Sequence, residues 1–309
     1  MPPKSVNPIK DFKRCMQFFP RFYAHRAFGH RLWPLVTVTL LLLSLNSCTR
    51  LSAEPSLANR SLHRTPVPTL YDCEIAKTLP HSRRSFTQGL VVDGDDLIES
   101  SGLYGKSFIH RYPISGDEAG YYKPLPESLF AESLTLMNGQ LFLLTWKSGR
   151  ALVLDPDTLS VKKTLTYQGE GWGLTRLNHQ LVMSNGSHQL TFRNPDDFSI
   201  NRTLDVYDNQ EPVSNLNDLS AAYGLIWANV WHESYIAAID PENGRVVAKI
   251  DCQNLSRRHR SYDRDNVLNG IAWDEQQQGF WVTGKRWNKR YLIQLDTPPS
   301  RHPTPTIKK

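Results

Sequence analysis

A carboxylate and an indole flank a short apolar hairpin in the middle of the chain. Glu132 precedes a predicted strand at 134–137, and Trp146 follows a second predicted strand at 140–145. An Asn-Gly pair separates the two strands, and this dipeptide strongly favours a two-residue hairpin turn. Because the strands are antiparallel, the acid and the indole lie at the same end of the hairpin. A carboxylate beside aromatic surface is the type of group that can transfer protons in a sheltered site.

The same pattern occurs five times along the chain. Each copy has a short head, an apolar strand, a turn, a second apolar strand and a polar or aromatic cluster. The heads lie 40 to 52 residues apart, and they are Gln88-Gly89-Leu90, Glu132-Ser133-Leu134, Trp172-Gly173-Leu174, Asn217-Asp218-Leu219 and Asn269-Gly270-Ile271. Most copies add a third strand, which ends at Asp-Pro or Asn-Pro, and a fourth strand. This period and strand number are typical of propeller blades, so we expect an all-β, five-bladed β-propeller.

Closure into a ring explains why the unit is repeated. One four-stranded blade cannot bury both of its faces, whereas a closed ring buries each blade against its neighbours. The innermost strands then line a channel, and the first residue of each head lies around one mouth of it. These residues could merely cap strands and satisfy backbone groups, but a carboxylate, amides and an indole would seldom gather at random strand ends. A predicted strand at 73–78 would complete the last blade and close the ring.

The first 47 residues form a targeting segment. Seven Lys and Arg residues against one acid are followed by an apolar run at 32–45 and by Leu-Asn-Ser before Cys48. A basic region, an apolar run of this length and a small residue before the cut are typical of a secretory signal, and the run is short for a membrane-spanning helix. The ending also resembles a bacterial lipobox, in which Cys48 would be lipidated and become the first mature residue. The alternative is an ordinary signal peptide with an incidental cysteine.

Export across the inner membrane follows from this segment, and we expect a periplasmic protein or an outer-membrane lipoprotein. Residues 48–69 are rich in Pro, Ser and Arg, which predicts a flexible tether before a propeller at 70–297 and a disordered tail at 298–309. Removal of the first 47 residues leaves 29 basic and 29 acidic side chains. The net charge of +6 therefore belongs to the targeting segment and gives no support to nucleic-acid binding. The mixed surface and the full set of blades favour a monomer.

Cysteine, histidine and acidic residues give no indication of a metal site or a cofactor. The sequence has no CxxC pair and no clustered His and Cys spacing. The acidic stretch at 93–96 is interpreted as a hairpin turn, which needs no calcium ion. We therefore expect neither a metal nor a cofactor. Cys73 and Cys252 could form a disulfide in an oxidising compartment, or could pack as small apolar side chains within strands.

Longer motifs in every blade, from Tyr71 to Leu295, resemble those of one enzyme family. They are Ser85-Phe86-Thr87-Gln88-Gly89-Leu90, Glu99-Ser100-Ser101-Gly102-Leu103-Tyr104-Gly105, Leu144-Thr145-Trp146-Lys147, Gly169-Glu170-Gly171-Trp172-Gly173-Leu174, Trp227-Ala228-Asn229-Val230-Trp231 and Val267-Leu268-Asn269-Gly270-Ile271. This set closely resembles the glutamine cyclotransferases of plant and bacterial type, which are unrelated to the zinc-dependent animal enzymes. The resemblance implies a five-bladed propeller that converts the N-terminal glutamine of a peptide or protein to pyroglutamate and releases ammonia.

The functional positions of that family map onto single residues of this chain. The resemblance assigns its Phe-x-Gln pair to Phe86 and Gln88, its Phe-x-Glu pair to Phe130 and Glu132, its tryptophans to Trp146, Trp172 and Trp231, its asparagine to Asn217 and its late lysine to Lys285. Glycine is expected on either side of the acid, whereas this chain has Ala131 and Ser133. The acid itself is retained, so the departure concerns loop shape more than chemistry.

The implied reaction suits these residue types. The α-amine must lose a proton before it attacks the γ-carboxamide carbon, and the leaving nitrogen must gain one. A single carboxylate can do both in turn, so Glu132 is the candidate general base and acid. Burial among aromatic rings would raise its pKa, while Lys285 would oppose that shift. Gln88, Asn217 and Lys285 are candidates to hold the carboxamide and stabilise the oxyanion, and the three assigned tryptophans would wall the pocket.

Other residues near the heads have simpler interpretations. Strand positions predict core packing for Trp227, Trp273 and Trp281, and Lys147 and Lys289 are expected to be surface charges. Glu170 is expected only to order the loop before Trp172. Asn229 and Asn269 either support the site from behind or satisfy backbone groups at strand ends.

Two other classes of protein are compatible with a propeller. A non-catalytic lipoprotein scaffold of the cell envelope shares the fold but has no need for an acid, a lysine and three indoles at one mouth. A lactonase or a quinone-dependent dehydrogenase would need metal-binding carboxylates or a large cofactor pocket, and one rim carboxylate without a histidine argues against both. The expected partners are peptides or proteins with an N-terminal glutamine, with no nucleic acid, and a membrane only through a lipid on Cys48.

Overall fold

The computed structural model describes residues 67–116 and 119–299. The predicted signal segment, Cys48, most of the predicted tether and nearly all of the predicted tail lie outside these residues. Within them nearly all of the regular secondary structure is β-strand. None of the helical residues in these ranges belongs to a helix of the length and apolarity that a bilayer crossing requires.

Five antiparallel sheets form the blades, which confirms the five-bladed propeller. The chain enters through β1 (Thr69–Asp72) and β2 (Glu74–Pro80). Blade one contains β3 (Thr87–Asp93), β4 (Asp96–Ser101), β5 (Phe108–Pro113) and β6 (Tyr121–Pro124). Blade two contains β7 (Ala131–Met137), β8 (Gln140–Thr145), β9 (Arg150–Leu154) and β10 (Val161–Thr166). Blade three contains β11 (Leu174–Leu177), β12 (Gln180–Ser184), β13 (Gln189–Arg193) and β14 (Ile200–Asp205).

The last two blades follow a short hairpin. This hairpin consists of β15 (Tyr207–Asp208) and β16 (Glu211–Pro212). Blade four then contains β17 (Leu216–Ala222), β18 (Leu225–Val230), β19 (Tyr235–Ile239) and β20 (Val246–Asp251). A short helix α1 (Gln253–Arg258) leads to blade five, with β21 (Leu268–Asp274), β22 (Gly279–Gly284) and β23 (Lys289–Gln294). The hairpin and the helix were not predicted, because such short elements carry too few residues to show a periodic pattern.

The central hairpin of blade two has the predicted turn. Asn138 and Gly139 have φ angles of 53° and 70°, as a two-residue turn with positive φ at both positions requires. The second strand has its predicted bounds. The first strand begins three residues earlier than predicted, at Ala131, so Glu132 lies within the strand and not before it.

The N-terminal strands join the last two blades. As predicted, β2 pairs antiparallel with β23 and completes blade five, which closes the ring. Strand β1 was not predicted, and it pairs in parallel with β20 as a fifth strand on blade four. Cys73 lies between β1 and β2, and its sulfur is 3.0 Å from that of Cys252. Both cysteines are free thiols.

Apolar packing holds the blades together at their seams. Five clusters of buried side chains each draw on two neighbouring blades, so that every seam of the ring has its own core. Trp227 and Trp281 are fully buried in these cores, as predicted. Trp273 is only partly buried, and its indole N–H donates to Glu275. Because each seam is apolar and each inner strand contacts two others, the strand heads are held in fixed positions.

Candidate active site

A β-bulge lies at the head of the inner strand in four blades. The pairing register shifts by one residue between Thr87 and Gly89, Ala131 and Leu134, Leu216 and Leu219, and Leu268 and Ile271. A bulge bends its strand and redirects a side chain, and bulges are common next to active sites. The first residues of these heads are all buried, namely Gln88, Glu132, Asn217 and Asn269. The bulges therefore place the predicted polar residues inside the channel mouth.

Neighbouring heads approach each other very closely. A side chain at Gly89 would place its Cβ 2.6 Å from the Cα of Ser133 on the next blade. At Gly173 a Cβ would lie 1.8 Å from the backbone oxygen of Asn217. Only glycine permits these contacts, which draw the heads of successive blades into one tight ring.

Glu132 lies in this ring with only 5% of its surface exposed. Burial raises its pKa well above the usual value, and the nearby carboxylates of Glu170 and Asp218 add to this effect. Lys285 opposes the shift, so the predicted balance of burial and lysine is confirmed. Among the described residues, none donates a hydrogen bond to the carboxylate of Glu132. A buried carboxylate with a raised pKa and free oxygens is suited to take a proton from a substrate.

Lys285 is the buried cation of the site. It is also 5% exposed, and its ammonium lies 4.9 Å from the centroid of the Phe86 ring. Burial lowers its pKa, while Glu132 acts in the opposite direction. In the described ranges the two charges form no direct ion pair, although they influence each other's pKa. Neither charged group is therefore neutralised by a direct contact with the other.

Four side-chain amides complete the polar part of the ring. The Nδ2 of Asn269 donates to the backbone oxygen of Thr87 at 2.9 Å and to the Oε1 of Gln88 at 3.3 Å, which orients the Gln88 amide. The Oδ1 of Asn229 accepts from the backbone N–H of Gly270 at 3.0 Å. Asn269 thus supports the site from behind, and Asn229 satisfies a strand-end backbone group. The buried Oδ1 of Asn217 has no hydrogen-bond partner within the described part of the chain.

One aromatic wall comes from blades one and two. Phe86 and Phe130 pack edge to face with 6.4 Å between their centroids, and Phe130 contacts Trp146 at 5.3 Å. Tyr104 was not predicted in the site, although it belongs to a quoted motif. Its ring packs on Phe130 at 5.4 Å and lies 6.4 Å from Trp146. Tyr104 is 51% exposed, so it forms the outer edge of this wall.

A second aromatic wall comes from blades three and four. Trp172 and Trp231 pack edge to face, with 5.6 Å between centroids and an interplanar angle of 86°. Trp172 lies against Gly186, where an added Cβ would be 2.7 Å from ring atoms and where φ is +81°. The buried Nε1 of Trp231 has no hydrogen-bond partner among the residues described. Trp231 can therefore offer a donor to a bound molecule.

Glu170 connects the two walls. Its Oε2 accepts hydrogen bonds from the Nε1 of Trp146 at 2.8 Å and from the Nε1 of Trp172 at 3.0 Å. Lys147 lies 3.4 Å from the other carboxylate oxygen and 3.9 Å from the centroid of the Trp146 ring. The sequence interpretation of Glu170 as a loop residue only was therefore incomplete. Lys147 is half exposed, as predicted.

Asp218 is a second buried carboxylate that sequence analysis did not assign to the site. Its Oδ2 accepts from the backbone N–H of Ile271 at 2.8 Å and from that of Leu90 at 3.4 Å. Its Oδ1 accepts from the hydroxyl of Ser133. Burial raises its pKa to about 7, although these hydrogen bonds act in the opposite direction. The only sequence feature that could have assigned Asp218 to the site was its position in the fourth strand head. The bulge that turns its side chain inward has no signature in the sequence.

All nine predicted catalytic and substrate-binding residues lie at this mouth. They are Phe86, Gln88, Phe130, Glu132, Trp146, Trp172, Asn217, Trp231 and Lys285. Residues 67–116 and 119–299 contain no group of three or more His, Cys, Asp or Glu side chains that could hold a metal ion. The fold and the site together define a propeller enzyme whose candidate active site combines aromatic walls with one buried basic carboxylate and one buried cation.

Comparisons with known proteins give the family. The chain matches the glutamine cyclotransferase family model over residues 42–295. It is 36% identical over 231 residues to a glutaminyl-peptide cyclotransferase of Arabidopsis thaliana, across 72% of this chain and 71% of the plant protein. The crystal structure of a Myxococcus xanthus glutaminyl cyclase has a TM-score of 0.70 and 33% identity, covering 74% of this chain and 98% of that one. This chain therefore belongs to the glutamine cyclotransferase family.

Proposed function

We propose that this protein is a glutaminyl-peptide cyclotransferase, which converts the N-terminal glutamine of peptides or proteins to pyroglutamate and releases ammonia. Membership of the family supports the reaction. The observation that carries the mechanism is the burial of Glu132 beside Lys285 within aromatic walls. No step of this mechanism uses a metal ion.

Glu132 acts as the general base and then as the general acid. The neutral α-amine attacks the δ-carbon of its own glutamine side chain and forms a five-membered ring. As this bond forms, the attacking nitrogen becomes acidic, and Glu132, whose raised pKa makes it a stronger base, takes one proton from it. The protonated Glu132 returns the proton to the amide nitrogen, the bond from carbon to that nitrogen breaks, and ammonia leaves. The carboxylate ends the cycle in its starting state.

The amide groups and the lysine stabilise the tetrahedral intermediate. Negative charge develops on the former amide oxygen, and fixed donors in a water-poor site stabilise it most effectively. The ammonium of Lys285 and the Nε2 of Gln88 are the donors, because Asn269 holds the oxygen end of Gln88. The free Oδ1 of Asn217 accepts a hydrogen bond from the amide nitrogen that becomes ammonia.

The aromatic walls hold the glutamine side chain in a curled conformation. Cyclisation is intramolecular, so most of the enzyme's contribution is to bring the amine and the carboxamide carbon into contact. Phe130 with Trp146 and Trp172 with Trp231, joined through Glu170, border the space where the glutamine side chain is proposed to bind, which we call the slot. Exclusion of water from the slot strengthens the interactions made by Glu132 and Lys285.

The scaffold interpretation is less favourable. A scaffold would gain nothing from burying a carboxylate and a lysine at the same mouth, because each burial costs free energy. The family relationship also favours an enzyme.

Ammonia release tests the proposed reaction directly. The mature chain is incubated with a Gln-initiated dipeptide in the presence of a metal chelator, and ammonia and pyroglutamyl product are measured. We expect turnover in the wild type and a loss of about 10²-fold or more in Glu132→Gln, since a general base contributes about 10²–10⁴ in rate. Glu233→Gln removes an exposed carboxylate from a loop near the same mouth and serves as the control. Absence of ammonia from Gln-initiated peptides would exclude the reaction, and turnover abolished by the chelator would exclude its metal independence.

We further propose that the chain is exported and attached to a membrane by a lipid on Cys48, as a monomer of the periplasm or outer membrane. The basic and apolar segment that ends at Cys48 supports export and lipidation. Radiolabelled palmitate should be incorporated into the wild type and not into Cys48→Ala when both are made in a bacterial host. Light scattering of the mature chain should give the monomer mass. Unlabelled wild type would exclude the lipid, and a dimer mass would exclude the monomer.

A further inference from the structure

Two tryptophans of the pocket share one hydrogen-bond acceptor. Trp146 follows the second strand of blade two, and Trp172 precedes the inner strand of blade three. Their indole N–H groups point to the same carboxylate oxygen, Oε2 of Glu170, at 2.8 and 3.0 Å. A tryptophan N–H is a donor only, so each indole needs an acceptor in this position to fix its ring.

The two carboxylate oxygens of Glu170 have different partners. The opposite oxygen of Glu170 lies 3.4 Å from the ammonium of Lys147, which itself stacks on Trp146. The side chain of Glu170 is 38% exposed, so it stands at the mouth of the pocket and not in its floor. No backbone N–H contacts this carboxylate within the described ranges, whereas a residue that only orders a loop would bond to the loop backbone.

We propose that Glu170 is a positioning residue of the enzyme, whose carboxylate fixes Trp146 and Trp172 as one continuous wall across the seam between blades two and three. This inference rests on the proposed function, because the wall matters only if the slot binds a glutamine side chain. Without Glu170 the two indoles rotate independently and the slot widens. Substrate binding weakens more than the chemical step slows, since Glu170 does not contact the reacting atoms.

The charge of Glu170 also acts on the base. The ionisable groups around Glu132 are Lys285, Glu170, Asp218, Tyr104 and Tyr167. Glu170 raises the pKa of Glu132, and Lys285 lowers it. Removal of the negative charge at Glu170 therefore moves the pKa of Glu132 downward, and the acid limb of kcat/KM moves to lower pH. Ionisation of the substrate amine also shapes the pH profile of kcat/KM, and this effect is the same for every variant.

Two substitutions separate the geometric role from the electrostatic role. Glu170→Gln keeps a carbonyl oxygen that can accept from both indoles but loses the charge. We expect a KM within about threefold of the wild type and an acid limb shifted to lower pH. Glu170→Ala loses both, and we expect kcat/KM to fall by about tenfold or more, mainly through KM, because two hydrogen bonds to a charged group are lost. Glu233→Gln is the control for removal of a carboxylate from this rim.

A measurement that does not need activity tests the wall itself. In protein labelled with ¹⁵N-tryptophan, the indole N–H signals of Trp146 and Trp172 are assigned by Trp→Phe variants. Both signals should shift and exchange faster with solvent in Glu170→Ala, and both should stay near their wild-type positions in Glu170→Gln. Unchanged signals and an unchanged KM in a folded Glu170→Ala variant would overturn the proposal. An inactive wild type would reject the proposed function, while the indole signals would still decide whether Glu170 fixes the wall.

Discussion

The hydroxyl of Ser133 donates a hydrogen bond to the carboxylate of Asp218, with 2.5 Å between the two oxygens. These residues belong to blades two and four, which are not neighbours in the ring. The other oxygen of Asp218 accepts backbone N–H groups from Ile271 in blade five and Leu90 in blade one. One carboxylate thus links four inner strands at the heads that carry the candidate site. In the family pattern glycine was expected where Ser133 stands, and the serine supplies a contact that glycine could not make.

Asp218→Asn should reduce the dependence of stability on pH. Burial raises the pKa of Asp218 to about 7 in the folded protein, above its usual value. The unfolded chain therefore ionises first as pH rises, so the contribution of this group is greatest at low pH and is lost as pH rises through about 7. Between pH 5 and 8 the wild type should therefore lose about 2–3 kcal/mol of unfolding free energy that Asp218→Asn retains.

Chemical denaturation at several pH values measures this difference. The asparagine amide can donate to Ser133, which can in turn donate to the backbone oxygen of Leu174 at 3.3 Å, so the fold should be retained. Asp218 also raises the pKa of Glu132, so its replacement lowers that pKa and adds to the expected difference in the same direction. Parallel stability curves for the two proteins would show that Asp218 does not hold its proton near neutral pH.

Lys285→Met should impair catalysis and shift its pH dependence. The lysine is proposed to stabilise the oxyanion, so we expect kcat to fall by about 10²–10³-fold. Its ammonium also lowers the pKa of Glu132, and its loss should raise that pKa further and move the acid limb of kcat/KM to higher pH. Initial rates from pH 5 to 9 measure both effects. Lys289→Met, in the next strand, is the control and should change neither kcat nor the acid limb of kcat/KM. A shift of this limb to lower pH in Lys285→Met would contradict the proposed role of Lys285.

Gly186→Ala should displace Trp172 from the pocket wall. The new Cβ would lie 2.7 Å from the indole ring, and the residue would have to keep a φ of +81°. We expect KM to rise several-fold, together with a loss of about 1–2 kcal/mol in stability from the left-handed backbone. Gly139→Ala has a similar φ of +70° but meets no atom within 4 Å, so it should lose similar stability with an unchanged KM. Equal KM values for the two variants would show that Trp172 does not depend on this contact.

Arg290→Met should destabilise the ring without changing the active site. The buried guanidinium donates to the backbone oxygens of Pro80 at 2.6 Å, Gly116 at 2.9 Å and Ile114 at 3.2 Å, which lie at the seam of blades five and one. Methionine leaves these acceptors without their donor, so we expect a loss of about 3 kcal/mol or more in unfolding free energy. Thermal and urea unfolding measure the loss. A normal KM at low temperature should accompany it, and an unaltered melting temperature would contradict the expectation.

The blade pattern was predictable because it depends on local chemistry. An Asn-Gly turn, alternating apolar residues and a repeat in the forties each have a direct physical meaning. The site residues Glu132, Gln88 and Lys285 were assigned through the family resemblance, and the structure places them at one mouth. Gln88 and Glu132 are buried because they lie in apolar inner strands, and Lys285 is buried directly after the apolar strand β22.

Other features depend on contacts between distant parts of the chain. The bulges at the strand heads could not be predicted, because an extra residue in one strand has no signature of its own. The same holds for Glu170, whose two indole partners lie in different blades, and for the parallel pairing of β1 with β20. A short strand such as β1 forms only because a neighbouring edge is present to receive it.

The pairing of β2 with β23 has a consequence for how the protein is made. During synthesis β2 emerges near the start of the domain, and its partner emerges only after about 200 further residues have been translated. Until then β2 and the growing blades have unpaired edges, which are prone to aggregation. Only a chain translated as far as β23 can seal the ring, so a product truncated in its last blade is expected to misfold as a whole.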